Sequence, residues 1–174
     1  VYRRRSQHLA NAANGFRPLS YRVDDGVAKA ENDSDIQFDW QRGIATSTHE
    51  GETVELQIKP GMLDRLTADI AAIQELRNGR PLTGFNLVDR NEIRRYEYTL
   101  QGEETLKVPA GTFKTLKYLR ARPGSSRTTL VRFATDRAFL PVKITQLKRG
   151  KTAIDMVATV LEPAVAASVD AASP

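Results

Sequence analysis

The chain offers few residues that could do chemistry. It holds two histidines, His8 and His49, and no cysteine in 174 residues. A thiolate nucleophile, a disulfide, an iron–sulfur cluster and a Cys-based zinc site are excluded. The histidines are far apart and form no His-x-His or His-x-x-x-His spacing, so zinc would need Asp or Glu for most of its ligands. Asp33, Asp35, Gln37 and Asp39 have the alternate spacing of a calcium loop. Phe38 stands where that loop needs Gly, however, and Ile44 where it needs a bidentate Glu. Ser125-Ser126 lies in a Gly-containing turn but outside any Gly-x-Ser-x-Gly elbow, and Gly-rich phosphate loops are absent. Paired carboxylates could run general acid–base or glycosidase chemistry. Glu103-Glu104 and Asp24-Asp25 are adjacent in strand-like segments, so each pair points to opposite faces. Asp64 and Glu104 could meet only through tertiary structure. The sequence therefore assigns no catalytic residue, no metal and no cofactor.

Charge is the second feature with chemical content. The formal net charge of +5 is unevenly placed. Residues 1–58 hold 7 Lys+Arg against 9 Asp+Glu, residues 59–112 hold 8 against 8, and residues 113–162 hold 11 against 3. Such asymmetry suits an anionic partner, a glycan or a membrane surface, or else a solvated sheet face with charged edges. Arg120, Arg122 and Arg132 are the candidate anion contacts. Nucleic acid is disfavoured, because Tyr118 and Phe133 are the aromatics within the basic stretch and no RNP or helix-turn-helix signature accompanies them.

The elements that must position these groups are mostly strands. Ile36, Phe38 and Trp40 alternate with polar residues, as do Val54, Leu56 and Ile58. Strands are also expected over 16–23, 44–49, 85–87, 96–100, 104–108, 113–122, 130–133, 142–147 and 152–161. Leu66, Ile70, Ile73 and Leu76 repeat at helical spacing, which predicts one helix over 62–79 stopped by Gly79 and Pro81. The fold class is mainly β: an antiparallel curved sheet or half-barrel of about eight to ten strands with one helix packed on it. Residues 1–14 read as a flexible segment or a short helix through Leu9–Ala13, 15–162 as a single β-rich domain, and 163–174 as a disordered tail. No apolar run is long enough to span a bilayer. Val1 in place of an initiator Met suggests a mature or trimmed chain.

Several stretches share the order and spacing of a known family. They are Gly15-Phe16-Arg17-Pro18-Leu19-Ser20-Tyr21, Phe38-Asp39-Trp40, Pro60-Gly61-Met62-Leu63-Asp64-Arg65-Leu66-Thr67, Tyr98 to Phe113, and Leu140-Pro141-Val142. Over about residues 15–160 the chain resembles a bacterial envelope family known as domain of unknown function 3108. The resemblance implies an exported, periplasmic protein of Gram-negative bacteria with a signal peptide ahead of the domain. It also implies a β-rich fold similar in outline to the lipoprotein-carrier half-barrels. It carries over no catalytic residue. The family usually begins with further strands upstream, and often has Trp where this chain has Phe133.

The expected function is non-enzymatic binding of a lipid-like or other amphipathic anionic ligand, with Phe38, Trp40, Phe85 and Tyr98 lining a groove of the sheet. Those aromatics serve equally as core, since burying one stabilises a fold by roughly 1.5–3 kcal/mol. The rival readings are an envelope polysaccharide hydrolase or lyase and a structural partner of an outer-membrane assembly.

Overall fold

The computed structural model describes residues 4–12, 15–24 and 33–161. Eleven strands and one helix are formed by these residues. The first five strands, β1 (Arg4–Ala12), β2 (Gly15–Asp24), β3 (Ser34–Asp39), β4 (Ile44–His49) and β5 (Glu52–Gln57), make one antiparallel sheet in chain order. The helix α1 (Arg65–Arg77) follows. The remaining six strands are β6 (Gly84–Asp89), β7 (Glu92–Val108), β8 (Gly111–Ala121), β9 (Arg127–Ala134), β10 (Leu140–Lys148) and β11 (Lys151–Val157). They form a second antiparallel sheet, again a meander. Among the described residues no strand pairing closes a barrel.

Two departures from the sequence reading have physical causes. The segment expected to be flexible or helical contains β1, because Arg4–Ala12 pair along their whole length with β2. The tail expected over 163–174 lies outside the described residues. The two strands expected on either side of Gln101-Gly102 are one 17-residue strand, β7, whose register shifts between Leu100 and Gly102. That bulge absorbs a residue and switches which side of the sheet the following side chains occupy.

Each sheet has its own core, and the helix joins them. In the first sheet Tyr21, Val23, Ile36, Phe38, Ala45 and Ile58 cluster with Val88, which comes from the second sheet. In the second, Tyr98, Tyr118, Val131 and Phe133 cluster with Ala72 and Leu76 of α1. Met62 and Leu66 pack on the first cluster, so the α1 region touches both. The helix buries Thr67, Ala68, Ala72 and Leu76 most deeply. Of the expected stripe of Leu66, Ile70, Ile73 and Leu76, Leu76 is buried and the other three are half-buried. Small Ala68 and Ala72 let the helix axis approach the sheet, and the larger side chains flank that contact.

Backbone bonds complete the joint. Leu63 N–H donates to Asn86 O at 3.0 Å and Val88 N–H to Leu63 O at 2.8 Å, a parallel bridge beside β6. Ser47 Oγ donates to Arg90 O, and Asn91 Nδ2 donates to Glu52 O at 3.0 Å, so the β6–β7 turn is tied to the first sheet.

Asp64 caps the helix. Its carboxylate accepts from Leu66 N–H at 2.8 Å, Thr67 N–H at 3.0 Å, Thr67 Oγ1 at 2.6 Å and Gln7 Nε2 at 2.8 Å. Burial pushes its pKa up despite those donors. Asp64→Ala should cost about 1–2 kcal/mol in urea denaturation, while Asp64→Asn, still able to cap, should lose much less.

Candidate functional site

Two polar clusters pin the N-terminal half of α1 to the second sheet. Asp89, 3% exposed, receives Arg65 side-on, with Nε at 2.8 Å from Oδ1 and Nη2 at 3.0 Å from Oδ2. Tyr96 donates its hydroxyl to the same carboxylate at 2.7 Å, and Arg94 lies 3.4 Å away. Burial alone would raise the Asp89 pKa. Arg65, with help from Tyr96 and Arg94, outweighs burial and holds it below the ordinary carboxylate value. One turn along the helix, Asp69 accepts from Arg120 Nη1 at 2.6 Å, and Arg120 also hydrogen-bonds the buried Tyr98 hydroxyl. Burial raises the Tyr98 pKa against the opposing pull of Arg120. Among the described residues the C-terminal half has no such pin to the sheet: Ile73 and Leu76 rest on aromatic side chains, and Glu75 pairs with Arg80 just past the helix at 2.6 Å.

Beside this polar seam runs an apolar row. Cross-strand register places Leu100 opposite Tyr118, Tyr118 opposite Val131, Val131 opposite Ile144, and Ile144 opposite Met156. Side chains directly opposite share a face, so all five lie on the side that carries α1. The helix covers the centre of the row. Leu100 and Met156, at its ends, are each 52% exposed, and Ile154 nearby is 45% exposed. The adjacent row on the same side is Tyr98, Arg120, Thr129, Gln146 and Ile154, which is more polar.

The outer side of the second sheet carries a different pattern. Glu104 accepts from Arg132 Nε at 2.6 Å and from Lys117 Nζ at 3.3 Å. Arg132 donates to Thr145 at 3.2 Å, Thr145 to Asp155 at 2.6 Å, and Lys143 lies 3.1 Å from Asp155. This belt of neutralised charges crosses β7 to β11. The hydrogen bond from Arg132, partly opposed by burial and aided by Lys117, keeps the Glu104 pKa low. A carboxylate held ionised in this way is a poor proton donor. A shallow depression of about 330 Å³ beside it is lined by Glu103, Glu104, Thr105, Lys114, Thr115 and Thr135.

The residues singled out from the sequence fall in separate places. Phe38 and Trp40 stack at 5.7 Å in the first sheet, with Trp40 Nε1 donating to Pro18 O at 2.7 Å and Arg17 lying over the indole at 5.3 Å. Phe85 and Tyr98 meet edge to face at 5.8 Å in the second sheet. Phe38 and Tyr98 are buried; Trp40 and Phe85 are half-buried. The four aromatics thus form two pairs in two cores. Arg120 is on the helix side, Arg132 on the outer side, and Arg122 follows directly after β8 and acts on the charge of Glu92. Asp64 and Glu104 do not converge, because one caps the helix and the other lies on the face away from it. Asp89, Tyr96, Arg65 and Asp69 were not legible as a site. The contacts that tie Arg65 and Asp69 to the sheet span 24 to 51 residues of sequence, and no local spacing marks them. Among the described residues no group of three or more His, Asp or Glu could hold a metal ion, and no helix is long and apolar enough to cross a membrane.

Two open antiparallel meanders clasping one helix define a β-rich protein class with a polar helix seam and an apolar row beside it. The chain belongs to the family described as "Protein of unknown function (DUF3108)", which matches residues 3–157. No curated protein and no solved structure matches it.

Proposed function

We propose that this protein is an exported bacterial envelope protein that binds, without catalysis, an amphipathic ligand with an acyl chain and an anionic head. The observation that carries this reading is the apolar row on the helix side of the second sheet, whose ends at Leu100 and Met156 emerge exposed on either side of the helix-covered centre. An extended hydrocarbon laid along it gains roughly 25 cal/mol for each Å² of apolar surface removed from water. Arg122 follows directly after β8, so an acidic head group has a cation at hand. The C-terminal half of α1, which among the described residues packs on the sheet through apolar side chains, is the part of the cover that a ligand can displace.

Native mass spectrometry after mild extraction tests the reading, together with melting shifts produced by palmitate and by lysophosphatidylglycerol. Co-purifying lipid and a ligand-dependent rise in melting temperature are expected. Leu100→Asp, at an exposed position that the fold tolerates, should weaken binding roughly tenfold or more. A clean unliganded mass with no shift from either ligand would sink the proposal. The coding sequence upstream of Val1 tests export separately: it should hold a signal peptide.

A further inference from the structure

The second sheet ends on β11, whose seven residues are all exposed. Ala158 N–H donates to Val142 O at 2.9 Å, which fixes the hydrogen-bonding phase of the β10–β11 ladder. With Ile144 opposite Met156 and Gln146 opposite Ile154, the backbones of Ile154 and Met156 face β10, and those of Asp155 and Val157 point away from it. The chain then leaves this edge. Ala158 O accepts from Ala110 N–H at 3.1 Å, and Ala158 and Leu161 pack against Val108, Phe113, Ala134 and Val142. Residues 158–161 therefore do not cover the outward backbone groups. The edge carries Ile154, Met156 and Val157, each at least 40% exposed, where edge strands normally carry charge or proline.

We propose that β11 pairs with β11 of a second copy of this chain, antiparallel, about a two-fold axis at Met156. In that register Asp155 and Val157 exchange backbone hydrogen bonds with Val157 and Asp155 of the other copy. The two Met156 side chains meet at the close, non-hydrogen-bonded position. The chain turns away at Ala158, so this backbone pairing is limited to Asp155–Val157. A two-fold axis needs one surface to complement itself, and this strand does so at the axis, where methionine faces methionine. Asp155 is already neutralised by Lys143 at 3.1 Å, so bringing two copies of Asp155 near each other is tolerated. The bulge at Ala153, the extra residue between Ile154 and Thr152 in the β10 register, ends the pairing on one side. Two apolar rows of five strands each then become one continuous row across ten strands. The inference stands independently of the ligand reading, since it rests on backbone groups and on the strand's own side chains.

Sedimentation of the full chain from about 5 to about 500 µM should show a monomer–dimer equilibrium, as a small interface requires. The natural absence of cysteine makes single thiols unambiguous. Met156→Cys should form an intermolecular disulfide on mild oxidation about tenfold faster than Lys151→Cys, at an exposed site outside the pairing. Val157→Pro removes only an outward N–H and should give a monomer. Met156→Lys sets two charges face to face at an exposed site and should do the same even where the proline disturbs folding. A monomer at every concentration, or equal oxidation rates for the two thiols, would overturn the proposal and leave the edge to solvent or to an unlike strand.

Discussion

Asp89→Ala should lower stability by about 3–5 kcal/mol, because it leaves the half-buried guanidinium of Arg65 without its bidentate partner. For a chain of this size that corresponds to a fall in melting temperature of roughly 6–20 °C. The loss is large because one carboxylate serves three groups from different elements: Arg65 of α1, and Arg94 and Tyr96 of β7. Its removal unpins the helix from the second sheet as well as breaking an ion pair. Replacing the pair together, Asp89→Leu with Arg65→Met, should recover most of the loss, since apolar residues of similar volume leave no charge buried alone. Acid should act in the same direction as the substitution. The folded-state pKa of Asp89 lies below the ordinary value of 3.8. Its contribution is therefore complete above that ordinary value and disappears as pH falls through the folded-state pKa. Asp64 has the opposite sign: its raised pKa favours the fold at low pH and ceases to do so as pH rises through the folded value. Urea denaturation of the parent chain and of Asp89→Asn between about pH 3 and pH 7 separates the two, because the variant should lose the Asp89 part of the acid sensitivity and keep the Asp64 part. Equal stability of the parent and Asp89→Ala at neutral pH would refute the role given to this cluster.

Gly84→Ala should be comparably damaging, by about 3 kcal/mol or more, for a reason confined to the backbone. Gly84 opens β6 with φ of +149°, and a Cβ there would lie 2.4 Å from Tyr96 O and 3.1 Å from Glu97 Cα. Neither is a flexible side-chain end, so β6 would have to separate from β7 at the strand that carries Leu87, Val88 and Asp89. Gly102 supplies the comparison. It too has positive φ, at +123°, but nothing lies within 4 Å of its Cβ position. Gly102→Ala should therefore cost only the backbone strain, about 1–2 kcal/mol. Thermal melts of the two variants check this, and equal melting temperatures would show that the close approach at Gly84 is unimportant.

The sequence exposed the β-rich class and the single helix through simple periodicities: Ile36, Phe38 and Trp40 at period two, and Leu66, Ile70, Ile73 and Leu76 at helical spacing. It hid β1, because Arg4–Ala12 alternate too weakly to announce a strand before β2 is there to pair with. It hid the continuity of β7, because Gln101-Gly102 reads as a turn and is a bulge. It misjudged the deepest face of α1, since alanine and threonine at 67, 68 and 72 carry little hydropathy yet permit the closest packing. The candidate site was the least legible part. Arg120 stands out in the sequence by its charge, but its partner Asp69 and the whole Asp89 cluster are products of tertiary contact, and the apolar row exists only once five strands are in register.

The arrangement of the two sheets bears on how the chain reaches its fold. Every ladder within either sheet joins strands consecutive in sequence, so each hairpin closes a short loop and can form early at small entropic cost. The sheets meet only through later, longer-range events: the docking of α1, the Leu63 bridge to β6 and the tie of the β6–β7 turn to the first sheet. Helix docking is therefore expected to follow hairpin formation, with the Arg65–Asp89 and Asp69–Arg120 contacts forming in that later step.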